Sequence, residues 1–505
     1  MRKSDEHIRV GTPSLYCDKV SSNNVALCGR PIDDDEGFFA LRCRSSSEKG
    51  LPAMKVIELQ GDERLTESML SRKGSLPADV LSAAAAIVEK VRAGGDDAVR
   101  AYEAQFDHVE LETFRVPTEL IDASLNEVGE DFLASCQKAA AQIRDFHQRE
   151  VQQSWFTARA DGTILGQKVT PLESVGIYVP GGRAQYPSTV LMNAIPAKVA
   201  GVERIVMVTP PQTDGVLSPY TLCAAKVAGV DEIYTVGGAQ AIAALAYGTV
   251  SIPKVDKITG PGNAYVAAAK RLVSGDCGID MVAGPSEVCV LADETAEPRL
   301  VAIDLMAQAE HDPMATSYLV TTDASLVGAV EEVIAELLAE SPRAEITRAS
   351  LEGNGTVVLC SDMDQAIDAV NVIAPEHLEL QTFEGMELLG RIKNAGAIFV
   401  GEWSSEPLGD YVAGPNHTLP TGGTARFSSP LSVDQFVKKS SVICYSYEGL
   451  EADCDDVVTL ATAEGLWAHA QSALMRRAVM AAYQEEAQRE CLDEDGCSCG
   501  CCGEE

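Results

Sequence analysis

The chain has 505 residues, of which 46% are hydrophobic and 23% charged, and this composition is typical of a globular protein with about three domains. Acidic residues outnumber basic ones by 75 to 40, so the formal net charge is −35 and argues against binding to nucleic acid. No apolar run approaches the roughly 20 residues of a membrane helix, and the N-terminus MRKSDEHIRV lacks the apolar core of a secretory signal. With an odd number of cysteines, 15, these features predict a cytoplasmic protein that binds neither nucleic acid nor membrane.

The N-terminal third changes character near residue 53. Residues 1–53 are rich in Ser, Asn and Asp without a sustained apolar period, so we expect a disordered extension; alternatively, translation starts at Met54. Residues 54–170 form the next segment, and much of it has helical periodicity. Apolar residues recur there at spacings of three and four: Val80, Leu81, Ala84, Ile87, Val88 and Val91. We therefore predict a helical N-terminal part.

Residues 171–285 alternate between strand-like and helix-like segments. The expected strands are Val175–Val179, Arg204–Thr209, Glu232–Val236 and Lys257–Thr259. Three of these runs end in glycine-rich turns that lead into helices. This βαβα order predicts a parallel sheet with helices around it, which makes the segment a first α/β domain.

The same order repeats over residues 286–425 and predicts a second α/β domain. The expected strands are Val288–Leu291, Tyr318–Thr321, Val357–Leu359, Leu378–Gln381 and Ala397–Val400. The fold class is thus α/β, with two doubly wound, incomplete Rossmann-like parallel sheets and ligands beyond the carboxyl ends of the strands. Residues 426–484 are mainly helical, and we expect no third sheet in the last 75 residues.

Residues 485–505 form an acidic, cysteine-rich tail. Its cysteines could bind a soft metal ion such as zinc or copper(I): Cys497, Cys499, Cys501 and Cys502. Their spacing lacks a paired CxxC framework, so a flexible, oxidation-prone tail is the preferred interpretation.

Two histidines stand beside other residues that could support chemistry. Gln308 and His311 would share a helix face and could converge on a zinc ion, although a structural histidine is the simpler interpretation. Glu376 and His377 follow Pro375, which favours the first turn of a helix. A helix N-terminus would keep His377 a neutral base beside a carboxylate; the alternative is a capping Glu and an incidental His.

Three further segments indicate a functional site less clearly. Asp410 could be a hard metal ligand in a loop rich in Gly and Pro, where His417 is as consistent with a structural role. Glu464 and His469 offer a carboxylate and an imidazole in a C-terminal helical region. The turn 260–263, which ends in Asn263, opens a helix whose N-terminus favours phosphate, but without a GxGxxG fingerprint it indicates a nicotinamide cofactor only weakly.

Taken together, these segments resemble the histidinol dehydrogenase family. The resemblance runs in order from about Met54 to about Gln484, and only the two tails fall outside it. It is carried by VGIYVPGGRAQYPSTVLMNAIPAKVAGV, VGGAQAIAALAYGT, KITGPGNAYVAAAKR, IDMVAGPSEV, LMAQAEHDP, APEHLEL and GDYVAGPNHTLPTGG.

The resemblance implies a zinc-dependent NAD oxidoreductase. The family oxidises L-histidinol via L-histidinal to L-histidine, reduces two NAD, and thereby completes histidine biosynthesis. It uses one Zn²⁺ per active site and acts as a homodimer with shared active sites. In the family the helical N-terminal part joins the second sheet rather than the first.

The resemblance also implies residue roles at the matching positions. The zinc ligands would be Gln308, His311, Asp410 and His469, and the catalytic bases Glu376 and His377. The substrate contacts would be Ser286, Gln308, His311, His377, Asp410, Glu464 and His469. The NAD contacts would be Tyr178, Gln240 and Asn263. Glu464 and His469 would come from the other subunit, and His417 takes no ligand role.

Three alternatives remain open at this point. Cys289 could be a nucleophile that forms a thiohemiacetal, although it lies within the apolar run EVCVLAD, where a buried thiol is the default. The chain could instead be a non-catalytic protein that holds metal in its cysteine-rich tail. It could also be a paralogue that oxidises another amino alcohol.

Overall fold

A computed structural model of the chain describes residues 25–28, 41–44, 54–70, 72, 76–181, 185–212 and 217–493. The chain divides into two compact units, Met1–Val151 with Leu172–Phe436, and Gln152–Pro171 with Val437–Glu505. Within the extension expected for residues 1–53, the described residues are two antiparallel strands, β1 (Val25–Cys28) and β2 (Leu41–Arg44). The four candidate metal-binding cysteines of the tail, Cys497, Cys499, Cys501 and Cys502, lie outside the described residues.

Strands and helices alternate through most of the described chain. The further strands are β3 (Lys55–Glu58), β4 (Trp155–Ala158), β5 (Ile164–Pro171), β6 (Ser174–Tyr178), β7 (Arg204–Thr209), β8 (Glu232–Thr235), β9 (Lys257–Thr259), β10 (Gly278–Ile279), β11 (Glu287–Ala292), β12 (Thr316–Thr321), β13 (Thr356–Leu359), β14 (His377–Gln381), β15 (Ala397–Val400) and β16 (Val437–Cys444). The helices are α1 (Ala78–Tyr102), α2 (Thr118–Glu127), α3 (Glu130–Gln148), α4 (Pro187–Ala200), α5 (Pro219–Ala228), α6 (Gly238–Tyr247), α7 (Ala264–Val273), α8 (Pro298–Ala309), α9 (Ala324–Leu338), α10 (Ala344–Asn354), α11 (Met363–Ile373), α12 (Gly385–Leu388), α13 (Glu406–Tyr411), α14 (Tyr447–Ala463) and α15 (Trp467–Asp493).

The first unit contains two parallel sheets. One has five strands in the order β10-β9-β6-β7-β8, and the other has six in the order β15-β14-β11-β12-β13-β3. Every strand pair in both sheets is parallel. The predicted class, two doubly wound parallel sheets, is therefore confirmed.

Helices cover both faces of the five-stranded sheet. Along β7, Val206 and Val208 pack in one apolar cluster, while Ile205 and Met207 pack in the other, as the two-residue period of a strand requires. The first cluster includes residues of α1, α6 and α7, and the second includes residues of α2 to α5. A strand buried on both faces must be apolar throughout, which explains the continuous run IVMV.

The N-terminal helices differ from their expected position. The resemblance placed the helical N-terminal part with the second sheet, but α1 to α3 pack against the first. Ile87 and Val91 of α1 lie in the cluster on one face, and Ile143 of α3 lies in the cluster on the other. Helix α1 thus packs in the same layer as α6 and α7, and helices α2 and α3 pack in the same layer as α4 and α5. From this segment, β3 alone among the described strands joins the six-stranded sheet, beside β13.

The six-stranded sheet is also covered on both faces. Helices α8, α9 and α10 pack against one face through residues such as Leu305 and Ile334, and α11 packs against the other through Ile367 and Val370. At the edge strand β15, all four residues are partly or fully exposed. The sheet thus holds α8 and β14, which carry several of the predicted site residues, in a rigid core.

The second unit contains a sheet that the sequence analysis excluded. β16 pairs antiparallel with β5, which pairs with β4, so the strand order is β16-β5-β4. The expectation of no third sheet involving the last 75 residues is therefore wrong. The partners of β16 lie more than 260 residues earlier in the chain, so the C-terminal segment alone gives no pairing signal. Among the described helices, none has the length and apolar character needed to cross a bilayer.

Candidate active site

The predicted site residues lie at opposite edges of the two parallel sheets. Tyr178 ends β6, and the turns after β8 and β9 lead to Gln240 and Asn263, all at the carboxyl edge of the five-stranded sheet. Ser286 directly precedes β11 and His377 begins β14, so both lie at the amino edge of the six-stranded sheet. In the second sheet these predicted site residues thus lie at the amino ends of the strands, whereas ligands were expected beyond the carboxyl ends. Only residues 280–286 separate β10 from β11, which joins the two edges.

His377 is held at the start of a strand, not in a helix. Helix α11 ends at Ile373, and Ala374 adopts a left-handed conformation with φ 47°, which redirects the chain into β14. The helix predicted from Pro375 is therefore absent from this described segment. The ring Nδ1 of His377 lies 3.0 Å from the backbone oxygen of Glu287. This contact fixes Nδ1 as the donor and leaves Nε2 as the reactive nitrogen.

Carboxylates surround the free nitrogen of His377. Asp410 and Glu406 both lie on α13, and their oxygens and a nitrogen of His377 lie within 4.8 Å of one another. The Oδ1 atom of Asp410 is 3.8 Å from Nε2 of His377. Nε2 is buried and has no hydrogen-bond partner among the described residues. The three side chains form a buried site of negative charge that could hold a cation.

The pKa values at this cluster reflect burial and close charges. Burial by itself lowers the pKa of His377, but the surrounding carboxylates, led by Glu376, together raise it to about 10. Burial also raises the pKa of Glu406, whereas His377 and other imidazoles hold the pKa of Asp410 below its usual value against the effect of burial. Without a bound cation the cluster therefore favours the imidazolium form of His377, unlike the neutral base expected from a helix N-terminus.

Glu376 belongs to a second buried group beside His377. Its Oε2 accepts a hydrogen bond of 2.8 Å from the backbone N–H of Glu287, and it lies 3.8 Å from Nδ1 of His377. Burial raises the pKa of Glu376 to about 8. The Glu287 carboxylate in turn pairs with Arg72 at 3.1 Å. A carboxyl group with a pKa near neutrality can both accept and return a proton.

Gln308 and His311 do not share one helix face as predicted. Helix α8 ends at Ala309, so His311 lies in the turn beyond it, and its side chain is exposed. Gln308 is completely buried, and neither its Oε1 nor its Nε2 has a hydrogen-bond partner among the described residues. The pKa of His311 is nevertheless lowered, first by desolvation; the charge of Asp410 raises it and that of His377 lowers it, so the ring interacts electrostatically with both groups.

A cavity of about 590 Å³ opens beside His377. Its lining includes Asp410, Phe146, Phe399 and His417, so it combines aromatic walls with titratable groups at one end. His417 Nδ1 lies 3.2 Å from the Asp410 backbone oxygen, and Nε2 lies 3.4 Å from Thr189 Oγ1. Both ring nitrogens are thus used to hold the loop, which fits the structural interpretation of this histidine.

The residues expected to contact NAD surround two glycine turns. The Tyr178 hydroxyl accepts a hydrogen bond of 3.2 Å from the N–H of Gly238. Gln240, in the first turn of α6, donates from Nε2 to the Glu103 carboxylate at 2.9 Å. Asn263 caps α7, and its Oδ1 accepts from the N–H groups of the next turn at 3.0 and 3.1 Å, as predicted for a helix opening at this position.

The remaining predicted residues are distributed as follows. Ser286 is half-buried, and its backbone oxygen accepts a hydrogen bond of 3.0 Å from the N–H of Thr316, the first residue of β12. Glu464 ends α14 and His469 lies in the first turn of α15, both exposed and both in the second unit. The first unit therefore brings together His377, Asp410 and their carboxylate neighbours, while Glu464 and His469 belong to the other unit.

Two buried acids were missed by the sequence analysis. Glu406 precedes Asp410 by four residues on α13, so the helical repeat could have identified it as a neighbour on the same face. Glu103 follows α1 and is completely buried, although it stands in a sequence that offered no sign of a partner. Its contacts come from a turn more than 130 residues later.

Cys289 lies in the core and not in the cavity. Its side chain is completely buried in the middle of β11, within the cluster beneath α11. Burial raises the pKa of this thiol far above its usual value. A thiolate nucleophile at this position is therefore disfavoured.

Comparisons with known proteins agree on one family. The family model described as histidinol dehydrogenase matches residues 70–477. The histidinol dehydrogenase of Bacillus subtilis (strain 168) is 52% identical over 422 residues, which cover 83% of this chain and 98% of that protein. The histidinol dehydrogenase of Clostridium acetobutylicum is 51% identical over 414 residues, covering 82% and 96%.

A solved structure supports the same assignment. The crystal structure of histidinol dehydrogenase from Elizabethkingia anophelis is similar to this one with a TM-score of 0.79 at 34% identity, and the match covers 85% of this chain and 98% of that chain. The segment matched by the family model includes the five-stranded sheet, the six-stranded sheet except β3, and the cluster around His377. The chain therefore belongs to the histidinol dehydrogenase family.

Proposed function

We propose that this chain is a zinc-dependent NAD oxidoreductase that oxidises L-histidinol via L-histidinal to L-histidine and reduces two NAD. It would complete histidine biosynthesis in the cytoplasm. The observation that carries the proposal is the buried cluster of His377, Glu406 and Asp410 within a chain of this family. The cluster supplies a base, His377, and an acidic zinc ligand, Asp410, and both line a cavity large enough for a small amino alcohol.

The residues proposed to bind zinc have the chemistry that the ion requires. Gln308 buries two polar atoms that have no partner among the described residues, and such a group is destabilising by about 1–3 kcal/mol unless a ligand satisfies it. Asp410 and His311 supply a carboxylate and an imidazole whose charges interact. The proposed fourth ligand is His469 of the partner subunit, so the enzyme would be a homodimer with shared active sites.

Substrate binding would involve the same residues and two others. Ser286 lies at the amino edge of β11, close in sequence to Glu287 and its contacts with Glu376. We assign it to the substrate, together with Gln308, His311, His377 and Asp410. Glu464 and His469 of the partner subunit would complete the set. The exposure of both side chains supports a role at a subunit boundary.

The first oxidation requires removal of one proton and one hydride. The His377 Nε2 would accept the hydroxyl proton of histidinol while a hydride leaves the carbon that bears this hydroxyl and adds to NAD, yielding the aldehyde and NADH. When bound, Zn²⁺ supplies a Lewis acid and a positive charge beside Asp410, which polarises the substrate and offsets the carboxylates that raise the pKa of His377. Tyr178, Gln240 and Asn263 would hold NAD at the carboxyl edge of the first sheet.

The second oxidation requires a tetrahedral carbon. The Glu376 carboxylate would take a proton from water as the water oxygen bonds to the aldehyde carbon, and the His377 imidazolium left by the first oxidation would return its proton to the aldehyde oxygen. His377 would then accept a proton from the resulting diol as the second hydride leaves, so the products are the carboxylic acid and a second NADH. The pKa of about 8 for Glu376 suits a group that must accept a proton and return it to solvent.

The stoichiometry of NADH formation tests this proposal. We expect about two NADH per L-histidinol consumed by the purified protein, because each of the two oxidations would transfer one hydride to one NAD. Activity should disappear after chelator treatment and return with added zinc. The measurement is absorbance of NADH at limiting histidinol, with metal content determined in parallel. An absence of NADH from zinc-loaded protein would contradict the proposal and favour another amino alcohol as substrate.

Replacement of Cys289 tests the alternative covalent mechanism. We expect Cys289→Ala to keep kcat within about twofold of the wild-type value, because a buried neutral thiol is inert. Both NADH formation from histidinol and NADH formation from histidinal should be measured. Loss of only the aldehyde-to-acid step would revive the thiohemiacetal mechanism. Cys360→Ala, which alters another buried thiol of the same cluster, is the matched control.

A further inference from the structure

A buried carboxyl group supports the carboxyl edge of the first sheet. Glu103 follows α1 in a five-residue π-helical turn, Glu103–Asp107, and its side chain has no exposed surface. Single π-helical turns within or after helices are often found at functional sites, because they displace one residue from the regular spacing. Here the displaced residue is an acid, directed away from solvent toward the turn after β8.

Glu103 contacts both the backbone and a side chain of that turn. Its Oε1 accepts hydrogen bonds from the N–H of Gly237 at 3.2 Å and from Nε2 of Gln240 at 2.9 Å. The next N–H, of Gly238, donates to the Tyr178 hydroxyl. Glu103 and Tyr178 therefore hold two consecutive N–H groups at the start of α6.

The turn has no side chains of its own to fix it. A Cβ atom on Gly237 would lie 2.5 Å from Cβ of Pro210, and Gly238 has φ 60°, so both positions require glycine. Two adjacent glycines leave the backbone with many alternative conformations. The hydrogen bonds from Glu103 and Tyr178 restrict these alternatives.

The same contact sets the orientation of the Gln240 amide. The amide NH₂ group donates to Glu103, so the oxygen is directed elsewhere, and this buried oxygen has no hydrogen-bond partner among the described residues. Without an acceptor at the Glu103 position, the amide could rotate and present either end. An unpartnered buried oxygen is suited to accept a hydrogen bond from a ligand hydroxyl or amide.

We propose that Glu103 is a positioning residue of the NAD site, which orients the Gln240 amide and the Gly237–Gly238 turn toward the dinucleotide. The proposal rests on the proposed function, since it takes this edge of the sheet as the NAD site. Because its side chain has no exposed surface, Glu103 would act through these groups and not by direct contact with NAD or histidinol. Burial raises its pKa to about 8, and glutamine, which has the same length and keeps an acceptor oxygen, is its closest replacement.

Three variants of Glu103 test the proposal in the zinc-loaded, full-length protein. In Glu103→Leu the acceptor is lost, and in Glu103→Asp it is withdrawn by one methylene; we expect both to raise the Kd for NAD about 10-fold. Glu103→Gln retains an acceptor oxygen and should stay within about threefold of wild type. Kd is measured by isothermal titration with NAD in the absence of histidinol. Glu110→Leu, at an exposed position on the same segment, is the matched control.

Steady-state kinetics separate positioning from a general structural role. We expect the KM for NAD to rise in Glu103→Leu and Glu103→Asp, while the KM for histidinol and the zinc content stay unchanged. Equal NAD affinity in wild type, Glu103→Leu and Glu103→Asp would overturn the inference. A Glu103→Gln variant whose NAD affinity falls as far as that of Glu103→Leu would overturn it as well. If Glu103→Leu does not fold, Glu103→Asp decides the question alone. A wild-type protein that binds no NAD would instead contradict the proposed function, and the inference with it.

Discussion

The His377→Asn variant is expected to lose about 10²–10⁴-fold in kcat, because removal of a general base has that effect on proton transfer. Asparagine is the appropriate replacement, since its side-chain NH₂ group can still donate to the Glu287 backbone oxygen that now holds Nδ1 at 3.0 Å. The start of β14 should therefore remain folded. What is lost is Nε2, the nitrogen that faces Asp410.

A comparison with Glu376→Gln distinguishes the two proposed bases. His377→Asn should slow both oxidations, because the same nitrogen accepts a proton in each. Glu376→Gln should slow mainly hydration of the aldehyde, so the yield should fall toward one NADH per histidinol. Rates from histidinol and from histidinal, measured with NAD binding as a control for folding, check both expectations. A His377→Asn enzyme with a near-normal rate from histidinal would remove His377 from the second step.

The sequence predicted the parallel sheets well because their information is local. Strands buried on both faces read as continuous apolar runs, and glycine turns mark where each run gives way to a helix. β7 and β9 occur where they were expected. The short strand β10 has only two residues, Gly278 and Ile279, and offers no run to detect.

Features that depend on distant pairing could not be predicted in this way. The sheet of the second unit pairs β16 with β5, and its residues are mostly exposed, so neither length nor apolar content marks them. The segment around His377 likewise adopts a structure that its local sequence does not predict. Pro375 favours a helix locally, but pairing of β14 with β11 and β15 draws the following residues into the sheet. Tertiary pairing overrides local preference here.

The candidate site was predicted in part from motifs and in part not at all. His377 and Asp410 were identified by the residue types beside them, and the structure brings them to 3.8 Å. Glu103 was not, because its hydrogen-bond partners lie in a glycine turn that only the folded sheet places next to it. A buried acid shows its importance through its partners, and partners are not a property of local sequence.

A buried ion pair holds the glycine turn between β9 and α7. Lys270 of α7 and Asp280 form an ion pair in which the two side chains are 3% and 0% exposed. The Lys270 ammonium also donates to the Gly260 oxygen at 2.8 Å, and Asp280 Oδ2 accepts from the Gly260 N–H at 2.9 Å. Both charges thus converge on one residue. Gly260 has φ 109°, and a Cβ atom there would lie 2.1 Å from the backbone oxygen of Tyr178.

The Lys270→Met variant is expected to lower the free energy of unfolding by about 3–5 kcal/mol, because it leaves the Asp280 carboxylate buried without its cation. The double variant Lys270→Met/Asp280→Asn should recover part of that loss, since asparagine carries no charge and can still accept from the Gly260 N–H. The matched control is Lys226→Met, whose partner Asp122 is exposed, so that its effect should stay near 0–1 kcal/mol. Denaturant unfolding at fixed protein and zinc concentrations measures all three. A loss from Lys270→Met no larger than that from Lys226→Met would mean that water or a neighbouring group already compensates the buried charge, and that the pair does not hold the turn before Asn263.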